Sequence, residues 1–301
     1  MKGLFKKISA AIVWVSFICW SCTHNSPPKA FTFPKHFNVQ VPFRRDNKGI
    51  IISTYWGLAN KEYQLYLDNH SPTWANDDII SNNPSASKSN DFLFSTTTAD
   101  GKSIEGDVYL CDSISIGNLR FKNVLFYNIS NKQIAGKSDG VIGENIMSEG
   151  IWKIDFRDNI LTIASSVDSI KEMEQTILLP AVFTSKAIEV EAGFRNGIKK
   201  KVELDLGYNG YIMMSSFAFD SIAEGNKKSY KESRQISTPA GSANIEDISV
   251  SDSILIGQRR FNTVISTNQL VKESLIGLNF FSQFDFIIID YVNKAVYISK
   301  K

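Results

Sequence analysis

The chain repeats itself, and the repeat limits what it can fold into. Asp112-Ser-Ile-Ser-Ile-Gly-Asn-Leu-Arg-Phe121 matches Asp252-Ser-Ile-Leu-Ile-Gly-Gln-Arg-Arg-Phe261. Val141-Ile-Gly-Glu-Asn-Ile-Met147 matches Leu275-Ile-Gly-Leu-Asn-Phe-Phe281. Ile154-Asp-Phe-Arg-Asp-Asn-Ile-Leu-Thr-Ile163 matches Ile289-Asp-Tyr-Val-Asn-Lys-Ala-Val-Tyr-Ile298. Upstream, Tyr66-Leu-Asp68 matches Glu203-Leu-Asp205. The four blocks keep their order. The unit is roughly 125 residues, too long for a solenoid repeat. Two homologous lobes about a pseudo-twofold axis are the packing to expect.

The units read as β structure. Short β-branched and aromatic runs, such as Gly49–Tyr55, Tyr63–Leu67, Phe121–Tyr127 and Asp285–Asp290, are separated by Gly, Asn and Asp turns. With 20 Phe and 10 Tyr in 301 residues, an all-β architecture is favoured over a helical bundle. Ser166–Gln175 is the clearest helix candidate, placed between the two copies.

The N-terminus reads differently. Lys2, Lys6 and Lys7 precede an apolar run from Ile8 to Trp20. That run is about 13 residues, short of the ~20 a membrane span needs, so it reads as a signal peptide. Cys22 follows, and its position resembles the lipobox of bacterial lipoproteins, in which the cysteine begins the mature chain and carries the lipid. The sequence thus divides into a signal peptide (1–21), a proline-bearing tether (22–40), a first lobe (41–165), a connector (166–180) and a second lobe (181–301). The resemblance places the protein in the bacterial cell envelope, lipid-anchored and facing the periplasm or the exterior.

Composition excludes several functions. Without the three signal-region lysines, 30 basic residues face 31 acidic ones. No basic surface argues for a nucleic-acid partner. Cys111 is the one cysteine in the body, so there is no intramolecular disulfide framework. His24, His36 and His70 show no metal-ligand spacing, and neither a metal nor an organic cofactor is expected.

In each copy an apolar strand ends in Leu-Asp, and an apolar pair with Gly follows later. This order resembles the aspartic proteases of the pepsin and retropepsin type, over about residues 60–300. Their first element is an apolar strand running into Asp-Thr/Ser-Gly. Their second is an apolar-apolar-Gly segment passing beside it in a ψ shape, matched here by Ile142-Gly143 and Ile276-Gly277. The resemblance implies two acid-protease-like β-barrel lobes and a catalytic pair, Asp68 and Asp205. It also implies a peptide or protein substrate. Two carboxylates ~3 Å apart cannot both ionise, so they share a proton and activate a water between them.

The loops depart from the family pattern. The first reads Asp68-Asn69-His70-Ser71, with Asn69 and His70 where Thr and Gly are usual. Ser71 fits. The second reads Asp205-Leu206-Gly207-Tyr208. Leu206 replaces the hydroxyl residue that braces the opposite loop, and Tyr208 replaces a small one. Gly207 is retained, which a tight turn would explain. These departures motivate an alternative: an inactive fold acting as a peptide- or glycan-binding surface lipoprotein. Asp155, Asp290, Asp112 and Asp252 also repeat, and they read as structural turn residues. Phe94–Ile104 and Gln235–Ile245 are candidate hairpins over the cleft.

Overall fold

The computed structural model describes residues 30–300, apart from 48, 58–60, 98–102, 130–138, 224–228, 239–240 and 269–270. The expected signal peptide and Cys22 lie outside the described residues.

Two β-barrels face each other across a shared sheet. In the first, strands run in the order 31–33, 119–128, 74–75, 140–142, 62–67, 50–56, 103–116 and 86–97. The strand Leu119–Asn128 also pairs with Ser103–Ile116, which closes the barrel. The second barrel uses 181–183, 188–193, 199–205, 275–277, 212–214, 259–267, 241–256 and 229–238, closed by pairing of 188–193 with 241–256. Alternation drives the folding. In Ile50–Trp56 the residues Ile50, Ile52, Thr54 and Trp56 are buried, and those between are less so. Aromatic edges lock the interiors, with Trp56 meeting Phe126 and Phe280 meeting Phe281 and Phe284.

The third sheet joins the lobes. Its order is 176–179, 295–299, 286–290, 151–155, 160–164 and 38–42. The central strands are antiparallel, and Lys153 pairs with Ile288. Those two residues are counterparts in the repeat, so the pseudo-twofold axis passes between them. The strands Ile151–Asp155 and Phe286–Asp290 are buried along their whole length. Covering of both faces explains the apolar run Phe286-Ile-Ile-Ile289, while in the other strand the buried Lys153 is paired with Asp155 and Glu172.

The shared sheet corrects two boundaries. Residues 38–40, read as tether, belong to the strand Asn38–Pro42, which pairs with Ile160–Ala164. Thr176–Leu179, read as connector, pairs with Ala295–Ser299. The two are equivalent, each pairing with the last strand of its own repeat, and Phe31–Phe33 also pairs, with Leu119–Asn128. Proline and short length hide them. Pro42 sits at the end of an edge strand, where the missing N–H costs little. The expected helix at 166–175 is instead two 3₁₀ turns, Val167–Ser169 and Lys171–Gln175.

The repeated Asp155 and Asp290 hold turns. Asp155 Oδ1 accepts the N–H groups of Arg157 and Asp158. Asp290 accepts both the backbone and side-chain N–H of Asn293. Both candidate hairpins exist as backbone pairings, 86–97 with 103–116 and 229–238 with 241–256. Their tips lie outside the described residues.

Candidate active site

The site forms where two strands end. Glu62–Leu67 lies beside Gly140–Ile142 in parallel, and Lys199–Asp205 lies beside Leu275–Gly277 in parallel. Asp68 and Asp205 therefore leave equivalent strands and meet near the axis.

Gly143 and Gly277 make the crossing possible. A Cβ on Gly143 would lie 2.2 Å from the Ser71 carbonyl oxygen and 2.3 Å from the Pro72 carbonyl carbon. One on Gly277 would lie 2.4 Å from the Tyr208 carbonyl oxygen. In each lobe the segment after the glycine then bonds the aspartate loop. Glu144 N–H donates to Ser71 O and Leu278 N–H to Tyr208 O, both at 2.8 Å. Asn145 and Asn279 do the same with side chains. Asn145 Oδ1 accepts from Thr73 N–H, and Asn279 Nδ2 donates to Asn209 O. Thr73 Oγ1 accepts the Gly143 N–H at 2.9 Å. The repeated Asn at these positions was legible in the motif; Thr73 carries no such signal.

Gly207 sits between the two carboxylates. A Cβ there would fall 2.2 Å from Asp68 Oδ2. Its own N–H donates to Asp205 Oδ1 at 2.8 Å, joined by the Tyr208 N–H at 3.0 Å. Gly207 is not among the described residues with positive φ. A tight turn does not explain it; the close approach of Asp68 does. Asp68 Oδ1 accepts the His70 N–H at 2.9 Å. Burial, and then the charge of Asp205, push the Asp68 carboxyl up to about 7. Tyr291, buried just after the shared-sheet strand Phe286–Asp290, lies close enough to feel Asp68 and Glu144. Burial, then Glu144 and Asp68, raise its phenol.

Asn69 does the bracing that the loops otherwise lack. Its Nδ2 donates to Leu204 O and its Oδ1 accepts the Leu206 N–H, both at 2.8 Å. One amide thus satisfies a donor and an acceptor of the opposite loop, something a hydroxyl pair does by symmetry. Leu206, fully buried, packs into the core instead. Ser71 Oγ donates to Pro72 O, so its hydroxyl serves its own loop.

His70 reaches across to the second lobe. Its Nδ1 lies 3.7 Å from Asp205 Oδ2, and its Nε2 lies 2.9 Å from Glu203 Oε2. Asp205 first, then Glu203 and Asp68, push the imidazole up to about 9, against the opposing effect of burial. Its backbone is not in the left-handed region, so the exchange of Gly for His carries no backbone penalty of that kind. Sequence reading gave Glu203 no role of its own, since it enters only as the residue two before Asp205.

A crystal structure of an aspartic proteinase from Irpex lacteus superposes on 88% of this chain and 98% of its own, with a TM-score of 0.63 at 15% identity. The fold is that of the two-lobed aspartic proteinases. No family model and no curated protein sequence matches the chain. The likeness is therefore one of backbone, carried by the paired barrels and the shared sheet. Within that fold, Asp68, Asp205, Gly207, Gly143, Gly277, Ile142 and Ile276 gather at the axis. Ile142 and Ile276 are fully buried in the parallel pairs that support the aspartates.

Proposed function

We propose that the protein is an aspartic peptidase with Asp68 and Asp205 as its catalytic pair. The observation that carries this is Gly207, which touches one carboxylate and donates its N–H to the other. Two acids held so close share one proton at and below about pH 7, because burial and Asp205 both oppose ionisation of Asp68. Asp205 faces two backbone N–H groups and the His70 imidazole, and it acts as the base. It takes a proton from a water. The water oxygen bonds to the substrate carbonyl carbon while protonated Asp68 donates to the carbonyl oxygen. Collapse of the tetrahedral adduct breaks the C–N bond, and the amine leaves with a proton from the pair. No metal or organic cofactor enters these steps.

The test is peptide cleavage from pH 3 to 8, in chelator, for wild type and Asp205→Asn. Wild-type activity is expected to fall as pH rises through about 7, where Asp68 loses its proton. Activity that survives the substitution would overturn the mechanism. The second reading is a non-catalytic peptide- or glycan-binding protein. The contact of His70 with Asp205 favours it, since an imidazole there occupies an oxygen that a water would use. Wild type that binds peptides without cleaving them at any pH would select it. Attachment through a lipid on Cys22, with the barrels outside the cytoplasm, is part of the same reading. Labelling with a radioactive fatty acid that is lost in Cys22→Ala would support it.

A further inference from the structure

Glu203 and Glu273 lie together at the edge of the site, with His70 between the lobes. One ligand atom from each of the three lies within 4.8 Å of the others. His70 comes from the first lobe; Glu203 and Glu273 come from the second. The segments are far apart in the sequence, so no spacing motif announces them.

We propose that His70, Glu203 and Glu273 form a divalent-cation site of the zinc class that clips the two lobes together beside the aspartate pair. One imidazole nitrogen and two carboxylate oxygens are borderline-to-hard donors of the kind zinc takes, and a fourth position stays open to water. Tetrahedral ligation at about 2.0–2.2 Å sets donors roughly 3.4 Å apart. Glu203 is already at 2.9 Å from Nε2, and the exposed Glu273 side chain is free to swing in.

Two further observations separate this group from an ordinary acidic surface. First, the His70 ring is aimed. Nε2 faces Glu203 at 2.9 Å while Nδ1 faces Asp205 Oδ2 at 3.7 Å. A carboxylate behind the far nitrogen of a metal-bound histidine fixes its tautomer and raises its basicity. Second, the His70 ring is the counter-group that Glu203 has in the structure, and a metal would take its place. Among the described residues, no lysine or arginine forms an ion pair with Glu203 or Glu273. On binding, the metal replaces the Nε2 proton, which leaves to solvent. The site does not depend on whether the aspartate pair is active.

The experiment titrates zinc ions alone into the full-length protein at pH 7.5, by calorimetry and by thermal melting. Wild type is expected to take up one ion through this site. Zinc a hundredfold above the dissociation constant should raise its Tm by roughly 5–10 °C. Glu273→Gln and Glu203→Gln should each weaken that uptake at least tenfold and remove most of the Tm rise. Glu273 is exposed, so its variant tests ligation without disturbing the core. No saturable uptake, or uptake and Tm rise unchanged in both variants, would overturn the site. Neither readout involves peptide cleavage, so an inactive peptidase and an absent metal site give different results.

Discussion

At the scale of single residues, Asn69 and Gly207 explain how irregular loops keep a regular site. Asn69→Asp keeps the acceptor for Leu206 N–H but turns the donor to Leu204 O into a second acceptor. A buried mismatch of this kind costs about 1–3 kcal/mol. Denaturant unfolding should show that loss, with Asn69→Ala at least as damaging. Gly207→Ala places a methyl group on the Asp68 carboxylate. Cleavage should drop at least a hundredfold, on the scale of losing one well-placed catalytic group. The sign of the pH effect on stability follows from Asp68. Its carboxyl is raised from 3.8 to about 7. Between about pH 4 and 7 the folded state holds a proton that the unfolded chain has released, so stability is fullest below about pH 4 and declines as pH rises. That advantage is lost as pH rises through about 7. Relative to Asp68→Asn, the Tm of wild type should fall across that window. The aspartates themselves were legible because each ends a Leu-Asp strand in a repeated block. The bracing by Asn69 was not, since a Thr-to-Asn exchange in sequence looks like a loss. Only the cross-lobe geometry shows one amide serving both bonds.

At the scale of elements, the apolar-apolar-Gly segments are the most constrained pieces of the chain. At Gly143 and Gly277 the obstructing atoms include backbone, which cannot swing aside as a flexible side chain can. Gly143→Ala and Gly277→Ala should each push apart the aspartate loop and the segment crossing it. The expected outcome is loss of soluble folded protein or a large drop in Tm, read by near-UV circular dichroism. These segments were readable in advance because close approach leaves one residue type, and that residue repeats. The edge strands Asn38–Pro42 and Thr176–Leu179 were not readable. They are short, one ends in proline, and they pair with partners more than a hundred residues away. Pairing at that distance leaves no local periodicity. The 3₁₀ turns between the lobes read as a helix in sequence for the opposite reason. Lys171–Gln175 has helical composition, but the strand Thr176–Leu179 starts immediately after it.

At the scale of the whole molecule, the six-stranded sheet decides whether two lobes behave as one. Its middle is buried apolar surface from both copies, with Lys153 held by Asp155 at 3.3 Å and Glu172 at 2.9 Å. Ile287, Ile288 and Ile289 are fully buried there. Ile288→Ala should cost about 2–5 kcal/mol. It should lower a single cooperative unfolding transition rather than split off one lobe, which calorimetry would show. The two aspartate loops, those of Asp68 and Asp205, are joined across the lobes by Asn69, which bonds Leu204 O and Leu206 N–H. The account stands on those two carboxylates acting as one unit. The most direct measurement compares initial rates of peptide cleavage for Asp68→Asn, Asp205→Asn and the double variant with wild type, in chelator at pH 5. Groups that act together are strongly non-additive, so each single variant should fall about a thousandfold or more and the double variant no further. Either single variant within tenfold of the wild-type rate would contradict the account.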